Sequence, residues 1–445
     1  MENLYNDLKD SFDQIDLVQN FGTVTGVSGL TLSCTGVENT VMGSQCYVED
    51  LEGHRHAAEV VGYKDGEVLL MPFGAVEGFG PNCRVYVAQK GQNVVVNNAY
   101  LGRVINALGQ PIDGKGMLKT TGELCHLKRK PPMPGQRQAV GGKLDVGVRA
   151  LNTFVPICEG QRLGIFSGSG VGKSVLMSMI AKSSNADVNV IGLVGERGRE
   201  VKEFIERNLG EEGLKRSVVV VATGDEPPLM RRQAAYMTMA VAEYFRDQGQ
   251  KVMLFMDSVT RFAQAQREVG LSAGEPPTTK GFTPSVFSEL PRLLERAGQS
   301  EEGKEGSITG IFTVLVEGGD MDEPVADSVR GIVDGHILLD RTLAERGHFP
   351  AIDVLKSVSR MLPDCHSDQQ LQLMNRARGL LATYSDMEEL IRLGAYAKGS
   401  DAKIDEAINY HDALEGFLRQ GHKESTTIDQ GFAALDALLA SRKEA

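Results

Sequence analysis

Apolar runs alternate with helical patterns through the middle of the chain. Between about residues 150 and 345, short stretches rich in Val, Ile, Leu and Phe have the continuous hydrophobic character of strands buried on both faces. Segments with helical periodicity separate them. The alternation predicts an α/β fold with a doubly wound parallel sheet. The strand-like runs are Arg162–Phe166, Val188–Val194, Val218–Ala222, Val252–Met256, Ile308–Val316 and His336–Leu339, and the helical segments include Ser174–Ser183, Val201–Asn208 and Met230–Arg246.

The segments on either side of this core have different patterns. Short β-rich runs separated by turn residues fill residues 21–88, which predicts a small closed β-barrel. The stretch Lys128–Pro134 is typical of a linker or of an extended strap over the next domain. After about residue 365 the pattern is helical, and Ser425 and Thr426 are candidate caps of the last helix. The barrel runs are Phe21–Val27, Leu30–Cys34, Ala57–Tyr63, Val68–Met71 and Arg84–Val87, and the helical runs are Gln369–Leu381, Ala402–Leu418 and Ile428–Ala440.

The first twenty residues form a separate feature. Leu4, Leu8, Phe12 and Ile15 share one face of a short amphipathic helix, with acidic residues opposite. Such a helix either packs on its own domain or docks on a partner. The predicted organisation is a docking helix at 1–20, a β-barrel at 21–90, an α/β core at 91–360 and a C-terminal helical domain at 361–445.

Composition narrows the possible functions. The net charge of −12 and the pI near 5.3 disfavour tight nucleic-acid binding, so we expect no nucleic-acid partner. Six scattered cysteines show no CxxC spacing, which makes a zinc site or a redox dithiol a weak interpretation. The acidic N-terminus does not resemble a signal peptide, and the sequence has no apolar run of the ~20 residues that cross a bilayer. We therefore expect a cytoplasmic protein.

The strongest chemical signal is the segment Ser167–Ser174, which reads SGSGVGKS. It follows an apolar strand and opens a helix, as a phosphate-binding loop requires. Its glycines let backbone N–H groups surround phosphate oxygens, Lys173 would neutralise them, and the hydroxyl of Ser174 would bind Mg²⁺. Ser167 departs from the strict pattern, which has Gly there. The alternative is a glycine-rich turn with a chance Gly-Lys-Ser.

Two carboxylates follow neighbouring strand-like runs. Asp257 ends the run Val252–Met256 and is a candidate for the Mg²⁺ shell, or alternatively a helix cap. Glu196 follows the run Val188–Val194 and could polarise the attacking water. Both would lie with the phosphate loop at the carboxyl ends of the strands, where open α/β sheets bind ligands. Arg197 could touch phosphate, but the alternative is a solvated charge cluster at a helix start.

Five motifs, in order, resemble the catalytic subunits of rotary ATPases and their protein-export relatives, over about residues 20–400. They are Leu101–Gly114, the phosphate loop, Val194–Val201, Val252–Ala265 and Pro350–Arg360. Three further segments favour the export branch: Pro284–Gly298, Leu343–Asp353 and Leu390–Ile408. The acidic helical segment that ATP synthase catalytic subunits carry after the Pro350 motif is replaced here by Met361–Gln370. The form of Ser167–Met177 is closer to flagellar than to injectisome enzymes.

The resemblance implies a P-loop RecA-like core that hydrolyses ATP with Mg²⁺. It implies that Glu196 activates water, that Arg197 lies near the γ-phosphate, and that Asp257 and Ser174 belong to the metal shell. Phe349 would stack on adenine, with Tyr384 as a candidate for the opposite side. The implied phosphate-binding residues are Gly168, Ser169, Gly170, Val171, Gly172, Lys173 and Ser174.

The resemblance also implies an assembly and its partners. Arg360 would be an arginine finger that reaches the nucleotide of the neighbouring subunit, so one chain could build a homo-hexameric ring. Expected partners are a regulatory export-apparatus protein at the N-terminal helix, a membrane-embedded export gate, and exported flagellar subunits with their chaperones. The protein would associate with the membrane apparatus only through these partners. Alternatives are an injectisome ATPase, a ring-shaped nucleic-acid motor, and a non-catalytic ring subunit.

Overall fold

The computed structural model describes residues 21–88, 93–118, 121–316 and 319–441. The chain divides into two compact units. The first contains the N-terminal segment up to Asn93 together with Pro227–Leu229 and Glu268–Pro276, and the second contains the rest. The predicted docking helix at 1–20 lies outside the described residues.

In the first unit, the described strands close into a barrel in the order β1-β2-β5-β4-β3-β6. Alternate residues point inward and form an apolar core around Leu32, Val60 and Leu70. The sequence prediction missed β3, because only Cys46 and Val48 of that strand face the core and its apolar signal is short. The barrel strands are β1 Phe21–Ser28, β2 Thr31–Thr35, β3 Gln45–Glu49, β4 Arg55–Lys64, β5 Glu67–Pro72 and β6 Arg84–Val87.

The second unit is built on a sheet in the order β19-β18-β12-β17-β15-β13-β14-β8. The pairs along this order are parallel except the edge pair β18 and β19, and the short β16 pairs antiparallel with β17 beside the main order. The six predicted core strands are all present. The remaining strands are β7 Asn93–Val96, β8 Val104–Asn106, β9 Glu123–His126, β10 Lys143–Leu144, β11 Ile157–Cys158, β12 Arg162–Ser167, β13 Val188–Glu196, β14 Ser217–Thr223, β15 Lys251–Asp257, β16 Gly298–Gln299, β17 Ser307–Leu315, β18 Gly335–Leu339 and β19 Val358–Ser359.

Helices cover the sheet and continue into a C-terminal helical group, which confirms the predicted fold class. Short 3₁₀ turns lie at Asn98–Tyr100, Pro134–Gln136 and Thr279–Gly281, and a π-helical turn at Phe204–Leu209. The α-helices are α1 Arg149–Phe154, α2 Lys173–Ser183, α3 Gly198–Glu203, α4 Gly210–Lys215, α5 Pro228–Asp247, α6 Val259–Ser272, α7 Pro284–Leu294, α8 Pro324–Ile332, α9 Arg341–Glu345, α10 Asp368–Arg392, α11 Ala402–Leu418 and α12 Ile428–Ala440.

One hydrophobic core joins the sheet to the C-terminal helices. Buried side chains of α2 and of β12 belong to the same cluster as Leu380, Leu414 and Leu435 of α10, α11 and α12. Capping boxes begin α10 at Ser367 and α12 at Thr427. The cap of α12 is therefore Thr427 and not the predicted Ser425 or Thr426. Only Thr427 stands three residues before a glutamine, Gln430, whose side chain accepts a hydrogen bond from the backbone N–H of the cap residue.

Residues 128–133 form no helix or strand and lie beside α5, and Pro134 begins a 3₁₀ turn. The ammonium of Lys128 is 5.6 Å from the ring of Tyr236, and Arg129 pairs with Asp247 at 2.5 Å. Throughout the described part of the chain, every helix is too short or too polar to span a bilayer.

Candidate active site

The phosphate loop connects the end of β12 to the start of α2. Gly170 and Gly172 have φ values of 79° and 91°, in the left-handed region that favours glycine. Gly172 caps α2 without a side-chain bond, so the first N–H groups of that helix keep no capping partner. A Cβ added at Gly170 would meet no atom within 4 Å, so the loop surrounds open space. This combination suits an anion held by backbone N–H groups.

Three of the predicted residues meet beside this loop. The ammonium of Lys173 contacts the carboxylate of Asp257 and lies 3.6 Å from Oε1 of Glu196. All three side chains are largely buried, with 12%, 4% and 16% of their surfaces exposed. The structure thus brings one cation and two carboxylates together at the end of the sheet.

The topology explains why these residues converge. Glu196 and Asp257 are the last residues of β13 and β15, and Lys173 follows β12 by six positions. These strands are parallel members of one sheet, so their carboxyl ends share an edge. The bulge at Val194/Glu196, next to Gly195 with a φ of 74°, ends the regular pairing of β13 where the acid begins.

Thr313 is a member of the site that the sequence prediction missed. It lies on β17, between β12 and β15, and its hydroxyl donates to Oδ1 of Asp257 at 2.7 Å. The bond fixes the orientation of the carboxylate from the neighbouring strand. A buried hydroxyl near the carboxyl end of a central strand was the available signal, but its partner could be identified only from the strand order.

Burial and charge shift the pKa values in the cluster. Burial, reinforced by the nearby Asp257 carboxylate, raises the pKa of Glu196 to about 7. Burial opposes the charge on Lys173, but Asp257 and Glu196 outweigh it and raise the pKa of that ammonium. At neutral pH the site therefore holds a charged lysine and a glutamate poised to gain or lose a proton.

Arg197 points away from this cluster. Its side chain is 81% exposed, and its guanidinium pairs with Glu200 at 2.8 Å at the start of α3. In this structure it forms the local charge pair that the sequence left open as an alternative, and its approach to a phosphate stays a prediction.

Phe349 lies beside the phosphate loop. A Cβ at Gly172 would be 3.5 Å from its ring, which is 46% exposed. Gln420, after α11, donates its N–H to the Phe349 carbonyl at 2.9 Å, and the preceding His348 pairs with Glu415 at 2.8 Å. Two contacts from the C-terminal helices therefore hold the segment that carries this exposed ring.

Tyr384 is partly buried on α10 and stacks on His411 of α11. The two ring centroids are 3.5 Å apart and nearly parallel, at 7°. This contact already occupies one face of the tyrosine ring. A part in the adenine pocket stays a prediction.

Arg360 lies at the other end of the sheet. Ser359 pairs with Gly335, the first residue of β18, and the N–H of Arg360 donates to the carbonyl of Asp334 at 2.9 Å. Since β18 runs parallel to β12, this is the amino end of the strands, opposite the phosphate loop. Arg360 is exposed and lines an open cavity of about 420 Å³ with Arg330 and His336.

The residues at the loop fit a nucleotide with a hard cation. Asp257 and Ser174 offer oxygen ligands of the kind that Mg²⁺ prefers, beside free helix N–H groups and a buried ammonium. The buried hydroxyl of Ser167 at the end of β12 has no hydrogen-bond partner among the described residues, which leaves a polar atom available at the loop.

Comparison with known families gives two matches in succession along the chain. Residues 147–359 match the model of the nucleotide-binding domain of the ATP synthase alpha/beta family. Residues 366–437 match the model of the T3SS EscN ATPase C-terminal domain. Arg360 is the first residue of the short gap, 360–365, between the two matches.

Full-length relatives agree with these matches. The flagellum-specific ATP synthase of Caulobacter vibrioides is 52% identical over 96% of this chain and 98% of its own. The assembled ATPase EscN of the enteropathogenic E. coli type III secretion system is 40% identical over 94% of this chain and 100% of its own, with a TM-score of 0.88. EscN in complex with its central stalk EscO is 39% identical to this chain with a TM-score of 0.86, over the same shares of the two chains. The chain therefore belongs to the ATP synthase alpha/beta family, in the branch of flagellum-specific ATP synthases and type III secretion ATPases.

Proposed function

We propose that this chain is a Mg²⁺-dependent ATP hydrolase that works as a homo-hexameric ring and energises the export of flagellar proteins. The observation that carries the proposal is the meeting of Lys173, Glu196 and Asp257 beside the phosphate loop. This arrangement supplies a binding site for a triphosphate and a base for water in one place.

The loop and its lysine bind the phosphates. The N–H groups of residues 168–174 surround the phosphate oxygens, and the ammonium of Lys173 neutralises part of their charge. Ser174 and Asp257 hold Mg²⁺, and Thr313 keeps the Asp257 carboxylate oriented. When bound, Mg²⁺ neutralises charge on the β- and γ-phosphate oxygens. Phe349 stacks on the adenine ring, where its exposed face lies next to the loop.

Glu196 acts on the attacking water. Its carboxylate lies 3.6 Å from the Lys173 ammonium, so a water that contacts it is also near the phosphate that Lys173 binds. A base with a pKa of about 7 is well matched to neutral pH, because about half of it is deprotonated and that form is basic enough to take a proton. Arg197 approaches the γ-phosphate only after it leaves Glu200.

Arg360 completes the site of a neighbouring copy. It lies at the amino end of the strands, whereas its own phosphate loop lies at their carboxyl end. An exposed arginine in that position is free to stabilise the charge that develops on another subunit's phosphate, which is worth ~10³–10⁵ in rate for arginine fingers. A closed ring gives every copy both roles.

The proposed partners follow from the relatives. EscN was solved with its central stalk, and a ring of this chain would enclose an equivalent stalk protein. Residues 1–20 would dock a regulatory protein of the export apparatus. The ring would then serve a membrane-embedded gate that receives flagellar subunits from their chaperones.

Flagellar export is favoured over the injectisome alternative by similarity. The Caulobacter flagellum-specific ATP synthase is 52% identical to this chain over 96% of its length, against 47% over 90% for the type 3 secretion system ATPase of Xanthomonas euvesicatoria. A Caulobacter strain without its own flagellum-specific ATP synthase provides the test. This chain should restore the secretion of flagellar subunits into the medium, and the absence of secretion by a well-expressed chain would contradict the flagellar assignment.

The hydrolysis itself is tested with two lysines of α2. Lys173→Ala should release phosphate from Mg²⁺-ATP at least ~10²-fold more slowly than the natural chain, because the triphosphate loses its buried cation. Lys182→Ala, on the exposed last turn of the same helix, should keep the natural rate. Equal rates for all three proteins would rule out the assigned site.

A further inference from the structure

Two cysteines from distant parts of the sequence meet next to a histidine and a lysine. Cys158 ends β11, where it is buried and pairs across the ladder with Lys143 of β10. Cys365 lies in the turn before α10 and is partly exposed. Both are free thiols; Lys143, which faces Cys158 across the ladder, reaches the histidine beside Cys365, so the two thiols lie close enough to interact electrostatically.

His366 is oriented as a base toward Cys365. Its Nε2 lies 3.1 Å from the carbonyl oxygen of Thr153, which can only accept, so Nε2 carries a proton. In the neutral ring Nδ1 is then the acceptor, and it lies 3.7 Å from Sγ of Cys365. The ammonium of Lys143 lies 3.2 Å from the same nitrogen. A thiol, a base and an orienting carbonyl form the arrangement that activates nucleophilic cysteines.

The surroundings shift the pKa values of the two thiols in opposite directions. The interaction with the Cys158 thiol, with help from His366 and Lys143, lowers the pKa of Cys365 to about 5. The same interaction, together with burial, raises the pKa of Cys158. Cys125 is also partly exposed, but burial raises its pKa to about 11. One thiol of the pair is thus a ready thiolate, and its neighbour keeps its proton.

We propose that Cys158 and Cys365 form a modification site at which hydrogen peroxide makes a reversible disulfide, with Cys365 as the attacking thiol and Cys158 as the resolving thiol. The geometry supplies what such a pair needs: a reachable first sulfur, a base beside it, and a second sulfur on the strand position that faces Lys143 of the same cluster. Cysteines in the barrel lack this arrangement, because Cys34, Cys46 and Cys83 are buried.

The chemistry takes two steps. The Cys365 sulfur attacks one peroxide oxygen, so that an S–O bond forms and the O–O bond breaks. The departing hydroxide takes a proton from the solvent, which had received the thiol proton, and leaves as water. The Cys158 sulfur then attacks the Cys365 sulfur, the S–S bond forms, and the S–O bond breaks with loss of a second water that carries the Cys158 proton. The thiol pair loses two electrons, and one peroxide becomes two waters.

The bond would connect two functional modules. Cys158 lies in the segment that matches the nucleotide-binding domain, and Cys365 lies between that segment and the C-terminal match. Cys365 also follows Arg360 by five positions. If the proposed ring function holds, the disulfide restrains the turn that carries the arginine finger, but the site itself does not depend on that function.

Mass spectrometry of the full-length protein tests the proposal without measuring ATP hydrolysis. An equimolar dose of hydrogen peroxide should link the peptides of Cys158 and Cys365 in most molecules, and dithiothreitol should reverse the link. Cys125→Ser should form the same bond. Cys158→Ser should instead accumulate a Cys365 sulfenic acid that dimedone traps. Oxidation spread evenly over the other cysteines, or a pair that stays reduced, would overturn the proposal.

Alkylation gives a second readout on the natural chain, without any variant that could fail to fold. At pH 7, iodoacetamide should label Cys365 at least ~10-fold faster than Cys125, since the larger thiolate fraction outweighs the lower nucleophilicity of a less basic thiolate. Equal labelling rates would overturn the proposed activation. Glutathione disulfide in place of peroxide should form the Cys158–Cys365 disulfide more slowly than peroxide does. Faster disulfide formation with glutathione disulfide would contradict the assignment of peroxide as the oxidant.

Discussion

Among single residues, the protonation of Glu196 sets the pH range in which the proposed hydrolysis should run. Burial and the neighbouring Asp257 raise its pKa to about 7, and a base must be deprotonated to accept a proton from water. The rate should therefore be nearly constant above about pH 8 and fall about tenfold per pH unit well below pH 7. A glutamate with an ordinary pKa would keep its rate down to about pH 5. The measurement is kcat/KM for ATP across this range.

Glu196→Gln provides the control for this pH dependence. The variant should lose at least ~10² in kcat, and its residual rate should lack the inflection near pH 7. Glu212→Gln, an exposed glutamate on α4, should keep the natural profile. An unchanged inflection in Glu196→Gln would assign the titration to another group.

The sequence identified the site residues that directly follow predicted strands. It missed the residues whose importance depends on contacts with distant parts of the chain. Lys173, Glu196 and Asp257 were predictable because the carboxyl ends of parallel strands converge whatever the side-chain packing. Thr313 and the cluster around Cys365 and His366 were not, because Asp257, Lys143 and Thr153, which contact them, come from segments far away in the sequence. Cys158 and Cys365 show no local spacing motif, so composition favoured inert thiols.

At the scale of elements, one buried ion pair joins α5 to the turn after α7. The guanidinium of Arg296 donates to both oxygens of Glu243 at 2.9 and 2.7 Å, and to the carbonyl of Leu127 at 2.6 Å. Both side chains are almost fully buried, at 1% and 4% exposure. Loss of the arginine would leave the glutamate buried without its counter-charge, which is far costlier than loss of a surface pair.

Arg296→Ala should therefore lower the free energy of unfolding by about 3–5 kcal/mol. The matched control is Arg292→Ala on α7, whose side chain is 72% exposed and pairs with Glu289. It should cost less than about 1 kcal/mol. Urea denaturation followed by circular dichroism compares the two. Similar losses for both variants would show that the buried pair contributes no more than an exposed one.

Element prediction succeeded where burial makes a pattern and failed where strands are very short. Strands β12, β13 and β15 are buried on both faces, and their apolar runs gave their positions directly. Strands β8 and β19 have three and two residues, too few to show a period. They join the sheet only at its edges, where their register depends on β14 and β18.

At the scale of the whole molecule, the phosphate loop and Arg360 lie at opposite ends of one sheet. The fold thus separates two groups that the proposed reaction needs together, and a second copy is required to reunite them. The sequence implied this division only through family resemblance, because nothing near Arg360 in the chain requires a catalytic role. The strand register supplies the physical reason.

The most direct test of this account mixes two inactive variants. Glu196→Gln lacks the base and Arg360→Ala lacks the finger, and each alone should have little ATPase activity. In an equal mixture, random rings place a complete pair of neighbours at some interfaces, so the rate should recover to roughly one quarter of the natural value. A mixture no faster than the sum of the separate variants would contradict the claim that neighbouring copies share the site.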